Sequence, residues 1–311
     1  KTKMEVSIII PTYNRSEKLT NCIERIYLND FNIEKFEVIV VDDSSTDNTE
    51  TIIKNLSNKY GNLQYYKQKK SGQGSARNLG IEKANGKILI FIGDDINVSK
   101  SFIKEHYQFH QLNPESNFAM LGIILWDPSI PHTNYMLWST QELTFFKRFG
   151  GHQFAFTKLN ANDQLSYKYF YTSNISVKSA ILYKYKFDPW LDGYGWEDIE
   201  LGYRLEKDIN LKIIYNPNAV CYHDHYLTDK DLPHRMESIG KSAVTFQNKH
   251  PELTVLPTGY KKIIFYIISS EIILKSINIL NIIFKNKIVA LEYYCLSKKH
   301  YLKGINSQLI K

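Results

Sequence analysis

The sequence predicts an α/β protein with a doubly wound, mostly parallel sheet that is flanked by helices and followed by a C-terminal helical extension. Strand-like and helix-like patterns alternate over the first hundred residues, which is typical of this fold class. Three of the predicted strands end in polar or carboxylate-bearing segments, and a parallel sheet would bring those ends to one edge. With 311 residues, 43% of them hydrophobic, the chain can bury a large core.

The first three strands are predicted at residues 6–10, 36–41 and 63–66, which are short apolar or β-branched runs. A helix follows the first strand, with Ser16 as its N-cap, because apolar residues then recur at three- and four-residue steps: Leu19, Cys22, Ile23 and Ile26. The polar run after the second strand can cap a second helix, whose apolar side is Thr51, Ile52, Ile53 and Leu56.

The fourth strand, residues 88–92, is an apolar run bounded by glycines and followed by Asp94 and Asp95. A buried parallel strand delivers the residues after it to the ligand-binding edge of the sheet. Two adjacent carboxylates repel each other there, and a hard divalent cation would compensate them. The alternative is a solvated turn, for which Gly-Asp-Asp is suitable chemistry.

Common nucleotide-binding motifs are absent from the expected places. The first strand is followed by PTYNRS and not by GxGxxG, and no segment reads GxxxxGK followed by Ser or Thr. Instead, residues 71–86 are expected to form a glycine-punctuated loop and helix, in which Gly72, Gly74 and Gly80 permit a tight loop that carries Arg77 and Asn78 towards the sheet edge.

Two histidines and a set of aromatic residues follow the acidic loop. His106 and His110 lie four residues apart on a predicted helix at 101–111 and lack an HExxH context, which favours packing over metal binding. Residues 119–170 are rich in aromatic side chains. They fit either a wall for a sugar or lipid acceptor or a second small core.

Glu197 and Asp198 fall in the first turn of a helix that is predicted to begin near Trp196. The helix macrodipole would keep a carboxylate ionised there, ready to accept a proton. Helix-terminus electrostatics alone is the alternative. Farther along, a strand ends near His223 and His225, which would share a face if the strand continued. A neutral imidazole there could bind metal, and an ordinary surface histidine pair is the alternative.

Six segments, in this order, resemble the GT-A glycosyltransferases, specifically the inverting family 2 type of bacterial surface-polysaccharide assembly, over roughly residues 6–242. They are VSIIIPTYNR, VIVVDDSSTD, GQGSARNLGIEKANGKILIFIGDD, SNISVKSA, WEDIELGYRL and NPNAVCYHDH. The resemblance implies a nucleotide pocket lined by Pro11, Tyr13, Asp42, Asp43 and Arg77.

The resemblance also implies roles for the remaining candidate residues. Asp94 would meet the ribose or the metal, and Asp95 would be the principal ligand of Mn²⁺ or Mg²⁺. His223 would complete the metal site, with His225 as its substitute. Asp198 would be the catalytic base, and Glu197 would hold the acceptor hydroxyl. The chain departs from the usual DxD spelling, because Gly93 stands where the first acid is usual.

The reaction that this resemblance implies is a single displacement at the anomeric carbon of a nucleotide sugar, most simply a UDP-sugar, by a hydroxyl of a glycan or lipid-linked glycan. One base without a second nucleophile implies inversion. Two other functions are alternatives. A sugar nucleotidyltransferase would need a Gly- and Lys-rich signature after the first strand. A catalytically silent carbohydrate-binding or scaffold protein could share the fold.

Three consecutive segments are predicted: a nucleotide-sugar-binding half at 1–110, an acceptor-binding and catalytic half at 111–245, and a basic, apolar helical extension at 246–311. The net charge is +7, and residues 251–311 hold nine Lys, no Arg and three Glu, or +6. This distribution favours an anionic membrane over nucleic acid as the partner of residues 261–311, unless that segment packs on the catalytic domain.

The expected location is the cytoplasm, with a possible peripheral contact to the inner face of the membrane, because no signal-peptide pattern opens the sequence. Three scattered cysteines give no disulfide framework.

Overall fold

The computed structural model describes residues 4–151, 153–154, 156–189 and 195–309. Within these residues the strands are β1 (Val6–Thr12), β2 (Phe36–Asp42), β3 (Leu63–Lys67), β4 (Ile88–Phe91), β5 (Ile96–Val98), β6 (Phe118–Trp126), β7 (Gln164–Leu165), β8 (Ile175–Lys178) and β9 (Lys212–His223). The helices are α1 (Ser16–Tyr27), α2 (Thr49–Lys59), α3 (Gly72–Lys83), α4 (Phe102–Leu112), α5 (Asn134–Ser139), α6 (Ser179–Leu182), α7 (Glu197–Ile209), α8 (Asp231–Lys249), α9 (Gly259–Ile268), α10 (Glu271–Ile283) and α11 (Val289–Leu309).

The strands form one sheet in the order β3-β2-β1-β4-β8-β6-β9-β5, with β7 paired to β9. Strands β1 to β4 run parallel, and so do β6 and β9, while β5, β7 and β8 pair antiparallel with their neighbours. The predicted α/β class with a mostly parallel sheet is confirmed. Because of these directions, the carboxyl ends of β1, β2, β4 and β9 lie at the same edge of the sheet as the amino end of β8.

The start of α1 corrects one prediction. Ser16 is the first helical residue and not the N-cap, which is Arg15. The Ser16 amide instead donates to Asp47 Oδ2 at 3.1 Å, and Asp47 Oδ1 accepts from the Thr49 amide at 3.1 Å. A single carboxylate therefore satisfies free amides at the starts of two helices, α1 and α2.

The glycine-rich segment is also different from its prediction, because it is helical from Gly72 onwards and places Arg77 and Asn78 on α3 instead of in a loop. Gly80 is needed for packing, since a Cβ there would lie 2.5 Å from Ile9 Cγ2 on β1. Asn78 is held by Phe187, whose carbonyl accepts from Asn78 Nδ2 at 2.7 Å. The glycines thus allow close contact between α3 and the sheet.

His106 and His110 belong to a buried polar network, as the packing interpretation predicted. His106 Nδ1 lies 2.8 Å from Ser176 Oγ, and His110 Nε2 lies 2.9 Å from the same oxygen. His106 Nε2 also contacts Asn174 Oδ1 at 3.0 Å. Burial lowers the pKa of each imidazole to about 3, so both are neutral at physiological pH.

Contacts divide the chain into two compact units. The first comprises Lys1–Asp127, Leu159–Asp192 and Glu197–His225, and the second comprises Pro128–Lys158, Gly193–Trp196 and Tyr226–Lys311. This division differs from the three consecutive segments predicted from sequence, because strands β8 and β9 return to the sheet late in the chain. The whole sheet therefore lies in the first unit.

The second unit is built on α8 and α11, which pack with their backbones in contact. A Cβ at Gly240 would lie 2.3 Å from the Tyr301 carbonyl, and one at Gly304 would lie 2.1 Å from the Glu237 carbonyl. A small aromatic core accompanies this pair, in which Trp138 lies 5.9 Å from Tyr135 and 5.7 Å from Tyr293 between ring centroids. Part of the aromatic-rich segment thus forms a second small core, one of the two predicted alternatives.

Helices α9 and α10 belong to the same unit. Across the described residues, no helix taken singly has the length and apolar composition of a membrane span, although α9 and α10 meet that criterion as a pair bent by 55°.

Candidate active site

Two buried carboxylates follow β4 at the shared edge of the sheet. Asp94 Oδ2 accepts from Thr12 Oγ1 at 2.8 Å, at the end of the neighbouring strand β1. Gly93 leaves space for the Asp95 carboxylate, because a Cβ at Gly93 would lie 2.8 Å from Asp95 Oδ1. The glycine that departs from the usual DxD spelling therefore has a local packing reason.

One oxygen of Asp95 is the centre of this group. His225 Nδ1 lies 3.0 Å and His223 Nε2 3.3 Å from Asp95 Oδ2. Strand β9 ends at His223, so the condition under which residues 223 and 225 would share a strand face is not met. The Asp224 amide instead donates to the Asp95 carbonyl at 2.8 Å, which holds the segment so that both imidazoles reach the same carboxylate.

The surroundings of His223 fix the orientation of its ring. Its register partners are Ile96 on β5 and Trp126 on β6. The Trp126 ring stacks on the imidazole with centroids 5.3 Å apart and planes inclined by 10°. A ring held by two strands and an indole is a well-oriented ligand.

Asp95, His223 and His225 fit a divalent metal. Their three ligand atoms lie within 4.8 Å of one another. A carboxylate oxygen and two imidazole nitrogens form a mixed donor set of the kind that transition-metal ions accept. The sequence resemblance offered His225 only as a substitute for His223, whereas the structure brings both to Asp95.

The two adjacent carboxylates differ in their protonation equilibria. Burial opposes ionisation of Asp95, but the charge and hydrogen bond of His223, with help from His225 and Arg15, hold its pKa well below the usual range. Burial and the charge of Asp95 raise the pKa of Asp94 to about 6. Asp95 therefore carries the more persistent negative charge and is the stronger candidate ligand.

A second group forms at the start of α7. Arg77 Nη1 lies 3.3 Å from Glu197 Oε1. Asp198 Oδ2 accepts from the Thr172 amide at 3.4 Å, just before β8. Among the described residues, Arg77 Nε and Glu197 Oε2 are buried and have no hydrogen-bond partner. These two atoms are therefore available to a bound hydroxyl.

The protonation of Asp198 differs from its prediction. Burial, together with the charge of Glu197, raises the pKa of Asp198 to about 7, and the Arg77 charge only partly offsets this. Desolvation thus outweighs the stabilisation of the ionised form that was expected from the helix macrodipole. A carboxylate with such a pKa is suited to accept a proton near neutral pH.

Strand register relates the two groups. Phe91 of β4 pairs with Ile175 of β8. Asp94 comes three residues after Phe91, and Thr172, the contact of Asp198, comes three residues before Ile175. Because β4 and β8 are antiparallel, both segments leave the sheet at the same edge. The acidic pair and the Asp198 group are thus at one edge of the first unit.

The residues predicted for the nucleotide pocket are only partly together. Pro11, Tyr13, Asp42 and Asp43 surround the adjacent ends of β1 and β2, whereas Arg77 contacts Glu197 instead.

The two acids after β2 are engaged by the protein itself. Asp42 Oδ2 accepts from Tyr65 Oη at 2.6 Å, and Asp43 Oδ1 accepts from the Ser71 amide at 2.7 Å. Tyr13 is 44% exposed, with Lys70 Nζ 2.9 Å from its ring centroid. Of these side chains, Tyr13 offers the most open surface to a ligand.

Arg15 was not identified from the sequence, although it contacts both acids. Its Nη1 lies 2.7 Å from Asp95 Oδ2 and 3.2 Å from Asp94 Oδ1. The sequence feature that could have indicated this contact is the position of Arg15 in PTYNR, directly after a strand that ends at the ligand-binding edge. A long side chain on a turn can point in many directions, so the sequence does not reveal this contact.

Comparisons with known proteins agree on one family. The family model of glycosyl transferase family 2 matches residues 7–159. A curated relative from Methanococcus voltae is 32% identical over 120 residues, which are 38% of this chain. It is named dolichyl N-acetyl-alpha-D-glucosaminyl phosphate 3-beta-D-2,3-diacetamido-2,3-dideoxy-beta-D-glucuronosyltransferase. The chain spans 37% of that relative's length.

Solved structures with this fold cover nearly the whole chain. The S. aureus TarS 1-349 complex with UDP has a TM-score of 0.55 at 16% identity, over 99% of this chain and 92% of that one. The mannosyltransferase PcManGT from Pyrobaculum calidifontis, in complex with GDP-Man and Mn²⁺, has a TM-score of 0.62 at 15% identity. The match covers 98% of this chain and 87% of PcManGT. Both solved structures have the GT-A fold.

Proposed function

Because the chain belongs to glycosyl transferase family 2 and has the GT-A fold, we propose that it is a metal-dependent, inverting glycosyltransferase. It moves a sugar from a nucleotide-sugar donor to a hydroxyl of a glycan or lipid-linked glycan. The observation that carries this proposal is the meeting of Asp95, His223 and His225 at the sheet edge where Asp198 also lies.

The donor set of this site favours Mn²⁺ over Mg²⁺. Two of the three candidate ligands are imidazoles, whereas Mg²⁺ prefers oxygen ligands and retains water. When bound, such an ion supplies charge that stabilises the departing diphosphate. The neighbour solved with GDP-Man and Mn²⁺ supports a metal, and the neighbour solved with UDP supports a UDP-sugar donor.

Asp198 is the proposed base. The acceptor oxygen attacks the anomeric carbon while its proton passes to Asp198, and the bond from that carbon to the diphosphate oxygen breaks. This single displacement inverts the anomeric centre. Glu197 Oε2, buried without a partner among the described residues, is placed to accept a hydrogen bond from a substrate hydroxyl, and Arg77 holds the other carboxylate oxygen at 3.3 Å.

The proposed acceptor is a glycan or lipid-linked glycan, handled at the cytoplasmic face of an anionic membrane. The Methanococcus voltae relative is named for dolichyl N-acetyl-alpha-D-glucosaminyl phosphate, which supports a lipid-linked acceptor. Residues 260–284 contain eleven of the twenty large hydrophobic side chains exposed in the described structure: Tyr260, Ile263, Ile264, Tyr266, Ile267, Ile272, Ile279, Leu280, Ile282, Ile283 and Phe284.

The charge of this segment also supports an anionic membrane as its partner. Five exposed lysines accompany these apolar side chains: Lys261, Lys262, Lys275, Lys285 and Lys287. Helix α11, by contrast, is occupied by its contact with α8 through Gly304. We therefore propose that the membrane-binding surface consists of α9, α10 and the turn after α10, and that it does not include the rest of residues 261–311. Apolar side chains next to lysines fit the interface of a bilayer with anionic lipids.

Thermal denaturation with a panel of nucleotide sugars tests the donor and metal sites together. A donor at one hundred times its Kd should stabilise the protein by about 2.7 kcal/mol, and the shift should require Mn²⁺. His225→Gln should lose the Mn²⁺-dependent part of the shift. His300→Gln is the matched control, because that imidazole pairs with Glu237 in the second unit.

A coupled assay for released UDP then tests turnover. A protein that binds a UDP-sugar and Mn²⁺ but transfers no sugar to water or to any glycan would be a binding protein on this fold. That result would contradict the proposed transfer. A Mn²⁺-dependent shift that survives in His225→Gln would contradict the proposed metal site.

A further inference from the structure

Arg15 binds the same carboxylate oxygen on which the candidate metal ligands converge. Its Nη1 lies 2.7 Å from Asp95 Oδ2, closer than either imidazole nitrogen. A second contact, 3.2 Å to Asp94 Oδ1, lets one guanidinium pair with both acids. Arg15 thus brings a permanent positive charge to the oxygen that a cation would need.

A guanidinium and a divalent cation are incompatible at this oxygen. A cation held by Asp95, His223 and His225 must lie close to all three ligand atoms, which are within 4.8 Å of one another. At that position it would stand a few ångströms from Arg15 Nη1, and two positive charges so close repel strongly in a site with little water. One must leave for the other to bind.

Arg15 is the partner that can move. Its side chain is 42% exposed, whereas the side chains of Asp94 and Asp95 are 8% and 9% exposed. Rotation of the Arg15 side chain towards solvent therefore breaks its two carboxylate contacts and disturbs little packing. The displaced guanidinium remains next to the sheet edge, where its planar fork suits a phosphate.

We propose that Arg15 competes with the divalent cation for Asp95 and, once displaced, pairs with the diphosphate of the donor. The inference rests on the proposed function and adds a coupling to it. The cation frees the residue that receives the diphosphate, and the diphosphate in turn keeps Arg15 away from Asp95. Cation and nucleotide therefore strengthen each other's binding, as linkage requires.

Titration of the whole chain with Mn²⁺ alone, followed by the electron paramagnetic resonance signal of the free ion, tests the competition without any turnover. Arg15→Gln removes the competitor and should bind Mn²⁺ about tenfold more tightly than the unmodified protein, within the usual range of coupling between sites. Arg15→Met repeats the measurement with a second side chain, and thermal melts establish that both variants are folded.

Lys18→Gln is the charge-matched control. Lys18 Nζ lies 2.6 Å from Asp224 Oδ1, and the Lys18 side chain is 40% exposed, similar to Arg15. The Lys18→Gln substitution removes the same charge close to the site without freeing Asp95 Oδ2. The Mn²⁺ affinity of this variant should therefore change far less. An equal gain in Lys18→Gln would show a general field effect and overturn the competition.

The second arm measures UDP binding by calorimetry at saturating Mn²⁺. At saturating Mn²⁺, Arg15→Gln should bind UDP more weakly than the unmodified protein. The substitution should thus lower the UDP affinity while it raises the Mn²⁺ affinity. If Arg15→Gln binds Mn²⁺ no more tightly than the unmodified protein, or UDP equally well, the inference is wrong while the metal site stands. If neither protein binds Mn²⁺, the proposed metal site is wrong together with the inference.

Discussion

Asp95 Oδ2 and His225 Nδ1 lie 3.0 Å apart, although 130 residues separate them in the sequence. The contact exists because β9 joins the sheet on the far side of β6 and β8 and ends beside the loop after β4. Two of the three candidate ligands, His223 and His225, thus depend on strands from the later part of the chain. Metal affinity is therefore a sensitive measure of whether the complete sheet has formed.

Replacing Asp198 should separate catalysis from donor binding. Asp198→Asn removes the proton acceptor with little change in volume, so kcat should fall by roughly 10²–10⁴-fold, the usual contribution of a general base. The Kd for the donor should change little, because the lost interaction acts only in the transition state. Initial rates and calorimetry measure the two quantities.

Asp208→Asn is the control for that variant, since Asp208 is an exposed acid on the same helix α7. It should retain full activity. Near-normal kcat in Asp198→Asn would remove Asp198 from the proposed role.

The rate should depend on pH through the same carboxylate. The pKa of Asp198 is raised to about 7, so its deprotonated, base-competent fraction decreases as pH falls through 7, and kcat should fall with it. Glu197→Gln removes a negative charge that raises this pKa. The acid limb of the kcat profile should therefore move to lower pH, whatever the change in the maximum rate. A limb that stays in place would contradict the proposed coupling between the two carboxylates.

The buried histidines should make the fold sensitive to acid. In the unfolded chain His106 and His110 take up protons below about pH 6.5, whereas in the folded protein burial holds their pKa values at about 3. Between these values the unfolded state binds more protons, so the free energy of unfolding falls as pH decreases. Each histidine contributes a slope of up to about 1.4 kcal/mol per pH unit.

Urea unfolding of His110→Gln at several pH values from 7 to 4 measures this contribution. The variant should show a shallower slope than the unmodified protein. Gln111→Ala, at the exposed neighbouring position of α4, should alter stability without altering the slope. Identical slopes in His110→Gln and the unmodified protein would contradict the assignment.

The apolar surface of α9 and α10 should govern vesicle binding. Ile272 and Ile279 are 78% and 59% exposed, so replacing both with Ser removes apolar contact with a bilayer without opening the core. Flotation with vesicles of mixed anionic and neutral lipid should show weaker binding. Leu112→Ser is the control, because Leu112 is 82% exposed on α4 in the first unit.

Salt should weaken the same interaction, since each lysine near an anionic surface contributes about 1 kcal/mol. Binding that is unaffected by both the double substitution and salt would argue against this surface. Dimerisation lost in the double variant would instead assign the surface to a second copy of the chain.

The sequence predicted the parts of the molecule that local pattern controls. The apolar runs of β1, β2 and β4 are buried on both faces, so these strands, and the acids that follow β2 and β4, could be read directly. The start of helix α3 could not be read in this way. Its glycines indicate a loop, but Asp43 accepts from the amides of Ser71 and Gly72 and fixes the helix start.

The candidate site shows the same limit. Acids at strand ends are predictable, because the sheet direction brings them to one edge. The contact of Arg15 depends on the rotamer of a long side chain, and the pKa of Asp198 depends on burial by distant segments. Neither property can be recognised from the residues nearby in the sequence.

Gly93 also restricts which side chains its position can hold. A side chain at this position would meet Asp95 Oδ1 at 2.8 Å, and Asp95 cannot yield easily because its other oxygen is already engaged by three nitrogen atoms. An acidic side chain at position 93 would thus disturb the ligand next to it. Gly93→Asp should therefore weaken Mn²⁺ binding, and a compensating change at a neighbouring side chain should be needed to recover it.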